Sequence, residues 1–244
     1  MSASKVTAAM IMGAGLGLRM RPLTDDRPKP LVTVGGKTLI DHSIDRLVAA
    51  GVTLVVINLH YKAEMLRAHF AKRHDVEIVF SDETEKLLDT GGGVVKAMPH
   101  FGNQPFFVLN SDSIWIENGA SVLCAMLAAW DETRMDGLLL LAEMKTALGY
   151  EGAGDFALKP DGHLIRARDA RNGDGIYAYP GVQIAQPHLF RDAPAGAFST
   201  NIMWDRAIAE NRLSGTVMDG TWIHVGTPEA RDEAEATLAA LSAA

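Results

Sequence analysis

The sequence holds one cysteine, Cys124, in 244 residues. A disulfide within the chain is therefore excluded, and a reducing compartment is the natural setting. Cys124 falls in an apolar helical stretch, where a buried packing residue is a simpler reading than a reactive thiol. No apolar run reaches the ~18 residues needed to span a bilayer, so no membrane partner is expected. Lys5 ahead of Val6–Met12 faintly imitates a secretory leader. The glycines and Arg19 that follow read instead as strand and loop, so a cytoplasmic location is expected. Positive charge is also scarce, since 23 basic against 30 acidic residues leave a net charge of −7. That balance argues against a nucleic-acid partner. No Ser/His or Cys/His arrangement for nucleophilic catalysis is recognisable either.

What is present is an ordinary globular composition, 48% hydrophobic and 22% charged, in a length that suits one α/β domain over residues 1–244. Leu39 to Ala50 places Ile40, Ile44, Leu47 and Val48 on one helical face, with Gly51 as a stop. Leu54 to Asn58 and Glu77 to Ser81 read as strands, with a helix over Lys62 to Ala71 between them. Phe106 to Asn110 and Gly137 to Glu143 are further buried strands, separated by a helix over Ala120 to Trp130. Strands alternating with helices predict a doubly wound sheet that gathers ligands at the carboxyl ends of its strands.

The most informative stretch is Met10 to Leu31, MIMGAGLGLRMRPLTDDRPKPL. An apolar strand feeds a loop with Gly13, Gly15 and Gly17, followed by Arg19, Arg21 and Lys29. Glycines let backbone N–H groups approach an anion closely, and the three cations surround the same point. Pro28 and Pro30 stiffen the backbone around Lys29 and so present an aimed charge. A triphosphate explains both features. A dinucleotide-binding dehydrogenase also uses a glycine-rich first loop, but it needs a carboxylate ending the second strand. That strand ends Ile57-Asn58-Leu59-His60, with none.

This stretch resembles the signature of the sugar-phosphate nucleotidyltransferases, approximately L-A-A-G-x-G-x-R-M-x-P-L-T followed by P-K-P-L, with Gly13 in place of the usual alanine. The resemblance implies a Rossmann-like three-layer α/β/α fold with a mixed, mostly parallel central sheet. It implies that Gly13, Ala14, Gly15 and Gly17, with Arg19, hold the triphosphate of a nucleotide, and that Lys29 lies beside the reacting phosphates. Leu87-Leu88-Asp89-Thr90-Gly91-Gly92-Gly93 opens a helix, and by resemblance Thr90, Gly91 and Gly92 meet the nucleobase, with Glu83 as a weaker candidate. Asn110-Ser111-Asp112 ends a strand where ligands gather, and a hard carboxylate there suits Mg²⁺. The resemblance likewise puts Asp112 on the metal.

Beyond about residue 143 the character changes, and residues 144–244 are expected to bind a sugar 1-phosphate on the same sheet. Pro160-Asp161-Gly162 is a turn between short extended runs, and Tyr177 to Ile184 is aromatic and extended. Candidate acceptor contacts are Asn110, Gly154, Asp155, Tyr179 and Gly181, although core packing explains the aromatics equally well. Trp222-Ile223-His224-Val225-Gly226-Thr227-Pro228 precedes a helix capped by Thr227 with Pro228 in its first turn. The family has aspartate, the second metal ligand, where this chain has His224. Three readings stay open: His224 ligates the metal, it contacts phosphate, or Asp219 takes over.

Length and motif spacing are similar to the short bacterial group that joins UTP to N-acetylmuramate 1-phosphate in cell-wall recycling. Mannose-1-phosphate guanylyltransferases and glucose-1-phosphate uridylyl- or thymidylyltransferases share much of the pattern. The substitution at His224 also raises a nucleotide-binding protein without turnover. With Ala244 as the last residue, no left-handed β-helix or acyltransferase activity is expected. Base, sugar and oligomeric state stay open.

Overall fold

Period-two alternation inside continuous apolar runs dictates a sheet buried on both faces. In a strand, successive side chains point to opposite sides, so a run without polar interruptions must be covered twice. The computed structural model describes residues 6–242, and Lys5 lies outside them. The first half runs β1 (Ala8–Met12), a small ribbon of β2 (Thr33–Val34) and β3 (Lys37–Thr38), α1 (Leu39–Ala49), β4 (Leu54–Leu59), α2 (Ala63–Phe70) and β5 (Glu77–Asp82). It continues with α3 (Asp89–Ala97), β6 (Phe106–Asn110), β7 (Ser113–Glu117), α4 (Val122–Ala129) and β8 (Gly137–Glu143). The second half adds β9 (Ala147–Leu148), β10 (Phe156–Leu158), β11 (Leu164–Arg166), β12 (Ile176–Ala178), β13 (Val182–Ala185), α5 (Asn201–Ala209), β14 (Leu213–Val217), β15 (Gly220–His224) and α6 (Pro228–Ser242).

The main sheet has the order β11-β10-β12-β8-β13-β6-β1-β4-β5, with β14 also pairing β8. Strands β5, β4, β1, β6, β8, β14 and β10 point one way, and β13, β12 and β11 the other. The sheet is thus mixed, with seven of its ten strands among the described residues running the same way, and the second half adds its strands directly to it. On β1, Ala9 and Ile11 enter one core while Met10 enters the other; on β8, Leu138 and Leu140 oppose Leu139 and Leu141. Helices α1, α2 and α4 cover the first face through Ile44, Leu66 and Met126. Helices α3 and α5 cover the second through Val94, Met203 and Trp204. These are the three layers of an α/β/α fold.

Expected helix and strand boundaries hold to within two residues. Two expectations change. Cys124 is exposed rather than buried, because α4 turns Val122, Leu123 and Met126 inward and leaves positions 124 and 125 outward. Tyr177 to Ile184 is not one strand, since Tyr179-Pro180-Gly181 breaks it into β12 and β13.

A third, small sheet, β7-β15-β9, stands beside the main one. Its register sets His224 opposite Ser113, next to Asp112. Strands β1 and β6 are parallel neighbours, although β4 and β5 intervene in the chain. The connections from β1 and β6 therefore leave in opposite directions and open a crevice at their carboxyl ends.

Candidate active site

The crevice is a cleft of about 460 Å³ lined by the loop after β1, by Lys29, by Asn110, Ser111 and Asp112 after β6, and by Asp89 and Thr90 at the start of α3. Lys29 begins a short 3₁₀ turn, Lys29–Leu31, with extended Pro28 before it. The stiff segment aims the Lys29 Nζ at Asp112 Oδ2, 2.7 Å away, with the two side chains only 12% and 18% exposed. His224 Nε2 approaches the same oxygen at 3.4 Å. Burial opposes the charge of Asp112, but the hydrogen bond from His224 and the Lys29 ammonium outweigh it. Its carboxyl is held well below the usual carboxylate range. Asp219, by contrast, sits at the other end of β15, where its carboxylate accepts from Asn118 Nδ2 at 3.1 Å. Register alone removes it from the cluster.

The glycine loop divides its work. Ala14, Gly15 and Gly17 line the cleft, with Arg19 exposed beside them. The Arg19 guanidinium makes no hydrogen bond or ion pair among the described residues, so its donors are free for an anion. Gly17 is left-handed at φ 65, and the Thr24 hydroxyl donates to its carbonyl at 2.8 Å. Gly13 faces inward. Its N–H donates to Asn58 Oδ1 at 2.7 Å, and a Cβ there would lie 2.8 Å from the Asn58 carbonyl oxygen. It is small because β4 passes close by.

Similar packing explains the glycines of α3. The Gly91 and Gly92 N–H groups both donate to the Phe198 carbonyl, at 2.8 and 3.3 Å. A Cβ on Gly91 would overlap the Phe198 ring, and one on Gly92 the Gly196 carbonyl. Gly93 admits the buried Glu83, whose carboxylate accepts from Asn58 Nδ2 at 2.8 Å and the Leu88 N–H at 3.0 Å. Of the expected base contacts, Thr90 reaches the cleft, as does Glu83, while Gly91 and Gly92 are covered by the 196–198 loop.

A second cavity of about 290 Å³ shares Met12, Asp89, Thr90 and Asn110 with the first. Asp155 and Tyr179 line it. Asp155 Oδ2 accepts from the Tyr150 hydroxyl at 3.0 Å and the Tyr179 N–H at 2.8 Å. Burial and this carboxylate push the Tyr150 phenol up to about 12. Gly154 and Gly181 line neither cavity. Both are left-handed, at φ 97 and φ 76, and serve the backbone: Gly154 packs on Ile176, and Gly181 lies against Asn110 and accepts its N–H at 2.7 Å. Sequence reasoning missed Arg166, Gln183, Asn201 and Trp204, which line this cavity from β11, β13 and α5. No motif marks them, because the fold assembles them from separate elements.

The family profile described as "Nucleotidyl transferase" matches residues 8–240. The chain belongs to the nucleotidyl transferase family. It is 48% identical over 235 residues to the N-acetylmuramate alpha-1-phosphate uridylyltransferase of Caulobacter vibrioides, covering 95% of this chain and 96% of that one. To the Neisseria meningitidis protein of the same name it is 34% identical, covering 95% and 98%. Among solved structures, a UDP-glucose pyrophosphorylase complexed with UDP-glucose superposes with a TM-score of 0.77 at 16% identity, over 96% of this chain and 99% of that one. That likeness establishes the fold. Within this nucleotidyl transferase, the crevice at the carboxyl ends of β1 and β6 brings together Arg19 and Lys29.

Among the described residues no three His, Cys, Asp or Glu side chains converge as a complete metal cage. A Mg²⁺ bound largely by phosphate oxygens and water needs only one or two protein ligands. The Asp112 carboxylate on the cleft wall and the His224 imidazole 3.4 Å from it fit that smaller role. The imidazole is the softer and poorer of the two for this ion.

Proposed function

We propose that the chain transfers a uridylyl group from UTP to N-acetylmuramate 1-phosphate, releasing pyrophosphate and forming UDP-N-acetylmuramate. The 48% identity to the Caulobacter vibrioides enzyme across nearly both chains supports this choice of substrates. The observation that carries the chemistry is the Lys29–Asp112 pair on the wall of the glycine-loop cleft, with His224 against the same carboxylate, in a cleft that shares Met12, Asp89, Thr90 and Asn110 with the second cavity. A nucleotide in the first cavity and a sugar in the second, with its phosphate reaching past the shared residues into the first, would bring the phosphates together beside Lys29.

An oxygen of the sugar phosphate attacks the α-phosphorus, and the bond to the bridging oxygen breaks as pyrophosphate leaves with that electron pair. No general base is required, since a phosphate monoester with a second pKa near 6 is largely dianionic at neutral pH. The chain's task is to align two polyanions and offset their repulsion. Arg19 and Lys29 meet the triphosphate in the first cavity, which both line. Asp112 and His224 would hold Mg²⁺, which when bound neutralises phosphate charge. Substrates of this charge do not cross a bilayer unaided, so the reading fits a cytoplasmic reaction in cell-wall sugar recycling.

The test is pyrophosphate release with Mg²⁺, crossing UTP, GTP, dTTP, CTP and ATP against muramate, glucosamine, glucose and mannose 1-phosphates. Release is expected from UTP with N-acetylmuramate 1-phosphate, and loss of it on chelation supports the metal. Release confined to GTP with mannose 1-phosphate would reassign the substrates. Silence with nucleotide still bound would leave a binding protein.

A further inference from the structure

The second cavity contains two carboxylates, Asp89 and Asp155, and one basic side chain, Arg166. Arg166 ends β11, and its side chain is only 13% exposed. Its Nε donates to Asp205 Oδ1 at 2.6 Å and its Nη2 to the Asn201 carbonyl at 3.1 Å. The guanidinium also lies 4.9 Å from the Phe156 ring centroid and 5.6 Å from that of Trp204. Two hydrogen bonds and two aromatic faces fix the plane and rotation of the group. Its Nη1 donates to no acceptor among the described residues. Pairing with Asp205 would serve packing alone equally well. What packing does not explain is a rigid arginine presenting its remaining donors on a ligand cavity.

The anion that Arg166 awaits is not the phosphate. Phosphate charge is met in the first cavity by Arg19 and Lys29, neither of which lines the second. An anion reached from the second cavity belongs to the sugar itself. N-acetylmuramate differs from N-acetylglucosamine by a lactyl ether bearing a carboxylate, the planar two-oxygen acceptor that guanidinium matches best. We infer that Arg166 binds the lactyl carboxylate of the acceptor and so determines selection of an acidic sugar over its neutral counterpart. This deepens the proposed reaction and rests on that reading.

The experiment compares UTP-dependent pyrophosphate release from N-acetylmuramate 1-phosphate and from its lactyl amide, which keeps the shape and removes the charge. The wild type should prefer the acid by about 10- to 100-fold in kcat/KM, the range for hydrogen bonds to a charged group. In Arg166→Gln the acid-to-amide ratio should fall to within about 3-fold of unity, with the loss mainly in KM for the acid. Arg166→Lys, which keeps the charge without the fork, should fall between. A wild type indifferent to the amide overturns the proposal, and so does an Arg166→Gln that loses both substrates equally. Should Arg166→Gln not fold, the wild-type ratio and the lysine variant still decide. A wild type that rejects N-acetylmuramate 1-phosphate but accepts another pair overturns the underlying reaction, a distinguishable result.

Discussion

At the scale of single residues, one substitution can either strip chemistry from the cleft or disturb packing. Lys29 is an example of the first. Its ammonium is held by Asp112, but Asp112 keeps His224 as a second partner, so removal does not strand the carboxylate. Lys29→Ala should lower kcat by roughly 10²–10³, as for other preorganised electrostatic groups, while the melting temperature moves by less than about 5 °C. An equal collapse of activity and stability would make Lys29 a structural residue. Glycines separate in the same way. A Cβ at Gly15 meets nothing within 4 Å, whereas one at Gly91 strikes the Phe198 ring. Gly15→Ala should leave thermal stability unchanged or raise it by about 0.4–1 kcal/mol, while KM for UTP rises as the backbone loses close approach. Gly91→Ala should cost about 1–3 kcal/mol through overpacking. Thermal melts paired with initial-rate assays distinguish the two. Lys29 and Asp112 were legible in the sequence because motif and position sit together. Gly91 looked like a ligand platform because Phe198, which takes its N–H, lies far along the chain.

At the scale of elements, helices α1 and α2 are tied at the surface by charge as well as by their apolar faces. Arg73, just past α2, donates to Asp41 at 3.1 Å and Asp45 at 2.6 Å, both on α1, and to Asp75 at 2.8 Å. Burial works against the charge of Asp45, but Lys37 and Arg73 overcome it and hold its carboxyl low; Arg73 does the same for Asp75. Depressed carboxyl groups stabilise the fold above their unfolded pKa, near 4, and that contribution is lost as pH falls through the lower folded value. Arg73→Gln should therefore cost about 1 kcal/mol at pH 7, modest because the carboxylates are half-exposed. The difference in melting temperature from wild type should shrink below pH 4. A constant difference between pH 7 and pH 3 would show that Arg73 acts through packing. Such links are hard to foresee from sequence. Periodicity located α1 and α2 and their inner faces because burial follows a fixed repeat, but ion pairs between elements depend on loop paths that no repeat encodes.

Over the whole molecule, the two halves defined by chemistry are not halves of the packing. Among the described residues, strand β8, the last of the first half, pairs only with β12, β13 and β14 from the second. Strand β7 pairs β15, and α6 returns to the start of the chain, where Arg231 Nε donates to the Thr33 carbonyl at 3.1 Å and Glu235 accepts from the Gly35 N–H at 2.9 Å. The C-terminal helix thus braces the ribbon that follows Lys29, and Asp112 and His224 are brought together by strands from the middle and the last part of the sequence. Such interlocking predicts one cooperative transition. Far-UV circular dichroism and tryptophan fluorescence, which reports Trp115 and Trp222 in one core and Trp204 in the other, should give coincident melting curves. A nucleotide at about 100 times its Kd should add about 2.7 kcal/mol, or roughly 5–11 °C for a chain of this length. Both probes should shift together, although the cleft proposed for the nucleotide is lined mainly by the first half. Two resolved transitions, with only one moved by nucleotide, would mean that the acceptor half folds on its own and that the site is assembled by docking.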